Sequence, residues 1–162
     1  MGSLSYGEQA GERMKLGLML HDPEEEHDCF SDNTHNSHFY DGLGIQNIYH
    51  GQYQRLDGTF VRGASLSDLV KGTNQALDQE MTVKLAKTMR ALGDLKVAAD
   101  NGFAYDQMLE VDSSRGEQLI MAAVNGLVSQ TKSIEKIVSS MGLDNIAFEG
   151  SDSLDNPSAV FN

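Results

Sequence analysis

Tryptophan is absent from this chain, cysteine occurs once, proline twice, and 12 Lys and Arg stand against 24 Asp and Glu. Each scarcity closes off a class of answers. The single Cys29 cannot form an intrachain disulfide, so no cystine framework holds the fold, and cysteine usage does not identify a redox compartment. Cys29 reads as a small buried or half-buried residue, and one thiolate among many oxygens is a weak metal donor. A formal net charge of −12 without any basic stripe repels phosphate backbones and disfavours nucleic-acid binding. No apolar run approaches the roughly 20 residues that a membrane-spanning helix needs. What remains is 162 residues, one domain's worth, with 8 methionines of the kind that fill helix-packed interiors.

The apolar spacing is helical over long stretches. Residues 4–21 read as a helix that becomes increasingly buried toward Met19 and Leu20 and stops or kinks at Asp22, because Pro23 disfavours helical geometry before it. Asp22, Pro23 and Glu25 then have capping-box chemistry, which predicts a further helical turn or two carrying Glu26 and His27. A second helix is expected over about residues 33–49, capped by Ser31 or Asp32, and its glycines imply close contact with another element. Asp57-Gly58, flanked by Tyr53, Leu56, Phe60 and Val61, has the turn chemistry of a short hairpin. A short helix follows from Ser65 to Gly72. Residues 73–100 place Leu77, Met81, Leu85, Met89, Leu92, Leu95 and Ala99 on one face, with Asp78 and Lys84 among the wet positions. Ser113 or Ser114 starts the last long helix, with a stripe of Ile120, Ala123, Leu127, Ile134, Ile137 and Met141 ending at Gly142. The sum is an all-α helical bundle, one domain over residues 1–162, with a possible short β-hairpin in a connection.

One stretch does not look like packing. Residues 22–38 hold six carboxylates, three of the five histidines and the only cysteine. Crowded carboxylates repel one another, so a positive partner is implied, and a metal ion is the simplest one. Ser31, Asp32, Asn33 and Thr34 are also good capping and turn residues, which leaves a purely structural reading level with the functional one on composition alone. His27 and His35 tip the balance, because caps do not need imidazoles. Glu26, His27, Asp32 and His35 are the candidate metal ligands, since histidine with carboxylate is a common way to hold first-row transition metals. Ser31, Asn33 and Asp28 would hold the loop and orient the ligands. His38 and Asp41, three apart on the next helix, would face the same cavity or, more ordinarily, form a surface pair.

The motifs themselves resemble a known family. Glu26-His27-Asp28-Cys29-Phe30-Ser31-Asp32-Asn33-Thr34-His35, Gly44-Ile45-Gln46-Asn47-Ile48-Tyr49, Ser65 to Val70, Ala104-Tyr105-Asp106-Gln107-Met108 and the tail from Phe148 to Pro157 closely resemble imelysin-like proteins, bacterial cell-envelope proteins that are iron-regulated and described as M75-type metallopeptidases. The resemblance implies a role in iron uptake, an iron cofactor with zinc as the alternative, partner proteins of iron uptake, and a periplasmic or outer-membrane-associated location. The family's Gly-x-His-x-x-Glu motif fits none of the five histidines; His21 has Glu24 three residues later but no glycine two residues before. The stretch therefore resembles the carboxy-terminal half of such a protein, and the acidic loop is expected to complete a site with the amino-terminal half. Two alternatives belong to other classes: an insulin-cleaving metallopeptidase, for which this chain has neither His-Glu-x-x-His nor a nucleophile elbow, and a non-catalytic module whose loop only docks its neighbour.

Overall fold

Apolar side chains recurring at helical spacing must find a shared interior, and here four long helices close into a ring around one. The computed structural model describes residues 1–143 and 146–161. Helix α1 runs through Leu4–Lys15 and continues as Leu16–Leu20. It is followed by a single 3₁₀ turn, Cys29–Ser31, then α2 (Thr34–His50), β1 (Gln52–Gln54), β2 (Phe60–Arg62), α3 (Leu66–Thr73), α4 (Gln75–Asp100), α5 (Tyr105–Leu109), α6 (Ser114–Ser140), α7 (Asp152–Asp155) and a closing 3₁₀ turn, Pro157–Phe161. Around the ring α1 packs on α6, α6 on α4, α4 on α2 and α2 on α1. The all-α bundle with a two-stranded hairpin is as the sequence predicts, with Tyr53 opposite Val61 and Gln54 opposite Phe60 in antiparallel register.

The interior has two parts. One joins α1, α5 and the facing halves of α4 and α6 through Met14, Leu92, Leu95, Met108, Ile120 and Leu127. The other joins α2, α3 and the opposite ends of α4 and α6 through Ile45, Val70, Met81, Leu85 and Ile134. Gly42 permits the close contact expected of α2: a Cβ there would run into Leu92 on α4.

Several local expectations fail for identifiable reasons. The first part of α1 is wound with the wide turns of a π-helix, and its buried positions Ser5, Gln9, Ala10 and Met14 repeat at four to five residues, which a 3.6-residue period does not detect. No helix forms at the Asp22-Pro23 capping box. The Asp22 carboxylate accepts from Glu24 N at 3.0 Å and its carbonyl from Glu25 N at 3.0 Å, so the residue closes a tight turn on itself. Helix α2 begins after Asn33 with no side-chain cap; Ser31 and Asp32 are occupied by the 3₁₀ turn instead. Asp78, assigned to the wet face, is buried because Tyr49 Oη donates to it at 3.0 Å and Ser67 Oγ at 2.6 Å, a node that ties α2 and α3 to α4. Cys29 is exposed.

Candidate functional site

The acidic stretch becomes a loop strapped across one end of the ring. His21 ends α1 in the left-handed region, φ 50°, with Nδ1 3.1 Å from the Leu109 carbonyl. The chain then doubles back until the Glu25 carbonyl lies on Gly17, where any Cβ would collide with it. Asp28 fastens the other end. Its N–H donates to Thr34 Oγ1 at 2.9 Å, its carbonyl accepts from Ser31 N at 3.1 Å, and its carboxylate accepts from Ser37 Oγ. Loop and first turn of α2 thus form one hydrogen-bonded unit, and the residues predicted to brace the loop divide that work: Asp28 and Ser31 hold its backbone, while Asn33 accepts from Asn36 Nδ2 at 2.8 Å.

Beneath this strap lies a group of buried polar side chains. His38, on α2, is fully buried; neither ring nitrogen has a hydrogen-bond partner, and its carbonyl accepts from Gln9 Nε2 of α1 at 2.6 Å. The expectation of a surface pair for His38 and Asp41 is therefore corrected: α2 turns that face toward α1 and α5, burying His38 completely and Asp41 by half. Tyr105 of α5 stacks obliquely on His38 with centroids 5.2 Å apart, and its hydroxyl is also buried and unpartnered. His27 approaches from the loop, its ring centroid 6.0 Å from that of His38. Glu26 points the same way, with Oε2 buried and unpartnered.

Burial sets the electrostatics here. Desolvation pushes the Glu26 carboxyl above its ordinary range, against a hydrogen bond from Thr34 and with Asp106, Asp32 and Glu24 adding to the rise. Desolvation likewise raises Asp41, with His27 acting against it. It lowers His38 to about 3, helped by His27 and Arg13 and opposed by Asp28. The Tyr105 phenol is raised by burial and then by Glu26. At neutral pH the interior side of this group consists of a neutral imidazole and a neutral phenol, with the raised carboxyl of Glu26 on the loop side.

The four candidate ligands are only partly gathered. His27 lies beside His38, and Glu26 is close enough for its charge to act on Tyr105. Asp32 is exposed in the left-handed region, φ 50°, and reaches Glu26 only through its charge. His35 turns the other way: its Nε2 is 3.6 Å from Asp100 Oδ1 at the end of α4 and 3.1 Å from Asn36 Nδ2, while Nδ1 is buried without a partner. Among the described residues no three His, Cys, Asp or Glu side chains are placed to hold a metal ion together. Tyr105 and Gln9 were not among the predicted site residues. Tyr105 was visible as an aromatic inside a resembling motif, whereas nothing in the sequence pattern singles out Gln9.

The whole arrangement lies within the stretch that comparison with known families covers. The model of the imelysin family, peptidase family M75, matches residues 1–134, from α1 through most of α6. No curated protein matches the chain. With more than half of its length matched, and with the loop, α2 and α5 all inside the match, the chain belongs to the imelysin family.

Proposed function

We propose that this chain supplies one wall of a metal-ion site, iron before zinc, in a bacterial cell-envelope protein that serves iron uptake, and that the remaining ligands come from the amino-terminal half of such a protein. One observation carries the reading: both ring nitrogens of His38, the hydroxyl of the Tyr105 ring that stacks on it, and Glu26 Oε2 of the acidic loop are buried without partners. Each such group costs about 1–3 kcal/mol. Several together amount to a large share of the 5–15 kcal/mol or so by which a domain is stable. A fold that keeps them there has a use for them.

The donor types fit part of a coordination sphere. Carboxylate, imidazole and phenol are oxygen and nitrogen ligands suited to iron or zinc, and Glu26, His27, His38 and Tyr105 are the donors this wall would offer, although no three of its His and Glu side chains are placed to hold an ion by themselves. They do not make a complete set, which is why a second wall belongs to the proposal. A bound ion would supply Lewis acidity and positive charge to offset the loop's carboxylates. The chain's own groups do the rest: Asp28 and Thr34 fix the loop, and burial keeps His38 neutral and therefore able to donate a lone pair. Proteolysis is the alternative that the family's name suggests; peptide turnover that is lost in Glu26→Gln would favour it.

Calorimetric titration with ferrous, ferric and zinc ions tests the reading. Weak binding is expected for this chain alone, at least tenfold weaker in His27→Ala and His38→Gln, little changed in His50→Ala, and strengthened by adding the amino-terminal half. Equal affinities across these variants, each shown to be folded by circular dichroism, would remove the loop from the site.

A further inference from the structure

On the side of α2 away from His38 runs a groove of about 1030 Å³ between that helix and the hairpin. Its floor is the solvent face of α2, where Tyr40, Gly44 and Ile48 follow one another at four-residue steps, and its wall is formed by Tyr53, Leu56 and Phe60. These apolar side chains are well exposed, Ile48 at 61% and Leu56 at 104%. Large apolar side chains exposed together along a preformed groove are a feature of interaction sites. The groove is also preformed. Gly51 ends α2 at φ 58°, pressed against the Ala64 carbonyl, and its own carbonyl accepts from Gly63 N at 2.9 Å, so the base of the hairpin is pinned to the end of α2.

Its charge is opposite to that of the rest of the chain. Acids outnumber bases 24 to 12 overall. Yet the groove is lined by Arg55 and Arg62 and by no Asp or Glu. Arg62 is held over the Phe60 ring, 5.8 Å from its centroid, and the nearby Asp57 carboxylate is engaged by Thr59 N and Oγ1 at 2.9 and 2.7 Å. Asp57 stays ionised, its pKa lowered by those hydrogen bonds, so Arg55 and Arg62 outnumber it two to one, while carboxylates beyond about 8 Å are screened at physiological ionic strength.

We propose that this groove docks an amphipathic helix of a partner protein, its apolar face on α2 and its carboxylates on Arg55 and Arg62. A helix fits the geometry. The floor from Tyr40 to Ile48 is about 12 Å long at 1.5 Å per residue, and a Cβ at Gly44 would meet nothing within 4 Å, which admits the close approach that helix pairs need. A small molecule fits less well, because Leu56 stands fully in solvent where it could not help enclose one. A second copy fits less well too, since two chains of charge −12 repel.

The test uses a synthetic amphipathic peptide of about four helical turns, leucines on one face and glutamates flanking them, and its twin with lysines for glutamates. Fluorescence anisotropy is expected to show saturable binding of the glutamate peptide, at least tenfold weaker binding of the lysine peptide, reversal of that preference in Arg55→Glu/Arg62→Glu, and loss of both in Ile48→Glu with the helical spectrum intact. Three results would each overturn the proposal: no binding of the glutamate peptide, lysine-peptide binding of equal strength, or displacement of the glutamate peptide by oleate at equal concentration. Dimerisation seen by sedimentation and abolished by Ile48→Glu would overturn it in favour of a second copy.

Discussion

The imidazole of His38 lies against the phenol ring of Tyr105 with their planes inclined by 56°, and neither side chain has a hydrogen-bond partner for its polar atoms. Two rings from α2 and α5 thus bury three polar atoms for a packing contact that two leucines would supply at lower cost.

The first prediction follows from the sign of the His38 shift. Its folded-state value is lowered to about 3 from an ordinary 6.5, by burial and then by His27 and Arg13, with Asp28 opposing and Asp41 and Tyr105 also at hand. The unfolded chain therefore binds the proton first, and stability falls as pH drops from about 6.5 toward 3, by at most about 1.4 kcal/mol per unit. Urea unfolding at a series of pH values should show this slope, shallower in His38→Leu; parallel curves for the two proteins would contradict it.

The Tyr49–Asp78–Ser67 node gives a prediction about stability alone. Asp78→Ala leaves Tyr49 Oη buried without its acceptor, at a cost of about 1–3 kcal/mol. Tyr49→Phe removes the donor along with the need for it and should cost less. A double-mutant cycle by denaturant unfolding is expected to show non-additivity of at least about 0.5 kcal/mol.

Glu80 on α4 accepts from Lys136 at 2.8 Å, Lys84 at 2.9 Å and Ser133 at 2.8 Å, which together hold its carboxyl down at about 2. A depressed carboxyl contributes stability above its unfolded value near 4.5 and loses it as pH falls toward about 2. Because the network is partly exposed, salt should weaken it. Glu80→Gln is expected to lower Tm by about 1–3 °C at neutral pH, with a smaller difference at pH 3 or in 1 M salt, as scanning calorimetry would show.

Gly17 is where the loop folds back onto α1. A Cβ there would overlap the Glu25 carbonyl, so Gly17→Ala must push the loop outward. Overpacking of this kind costs about 1–3 kcal/mol. Amide exchange across residues 22–33 should accelerate in the variant, while exchange in α4 stays unchanged apart from any global loss of stability.

The bundle was legible because α4 and α6 keep their apolar side chains on one stripe for more than 25 residues each, and a period that long cannot be mistaken. The hairpin was legible from Asp57-Gly58. What escaped has three physical causes. Helix α1 follows a π period. Asp22, Ser31 and Asp32 have side chains that close turns as readily as they cap helices, and which of these wins depends on where the loop is tied down. His38 was expected at the surface because an isolated His-x-x-Asp step does not say which side of a helix faces the bundle, and only Gly42, Ile45 and Tyr49 on the same face reveal it. The loop itself was identified by composition. Its inward partner, Tyr105, lies almost seventy residues further on and could be paired with His38 only by the fold.

The inner face of α1 closes on elements far along the chain. Ser5 Oγ donates to the Leu127 carbonyl at 3.1 Å, Tyr6 Oη to Asp155 at 2.6 Å and Ser153 Oγ to the Gly11 carbonyl at 3.0 Å, spans of 122, 149 and 142 residues. Only Gln9, which donates to the His38 carbonyl 29 residues on, gives the polar inner stripe of α1 a nearer partner; the other three contacts need α6 and α7. Assembly of α2, α3 and α4 can run ahead on local contacts, whereas docking of α1 must wait for the largest loop closures in the molecule. The strap over His38 is tied to α2 across six and nine residues but hangs from α1 at its other end, so the polar group beneath it joins the most local contacts of the molecule to the most distant ones.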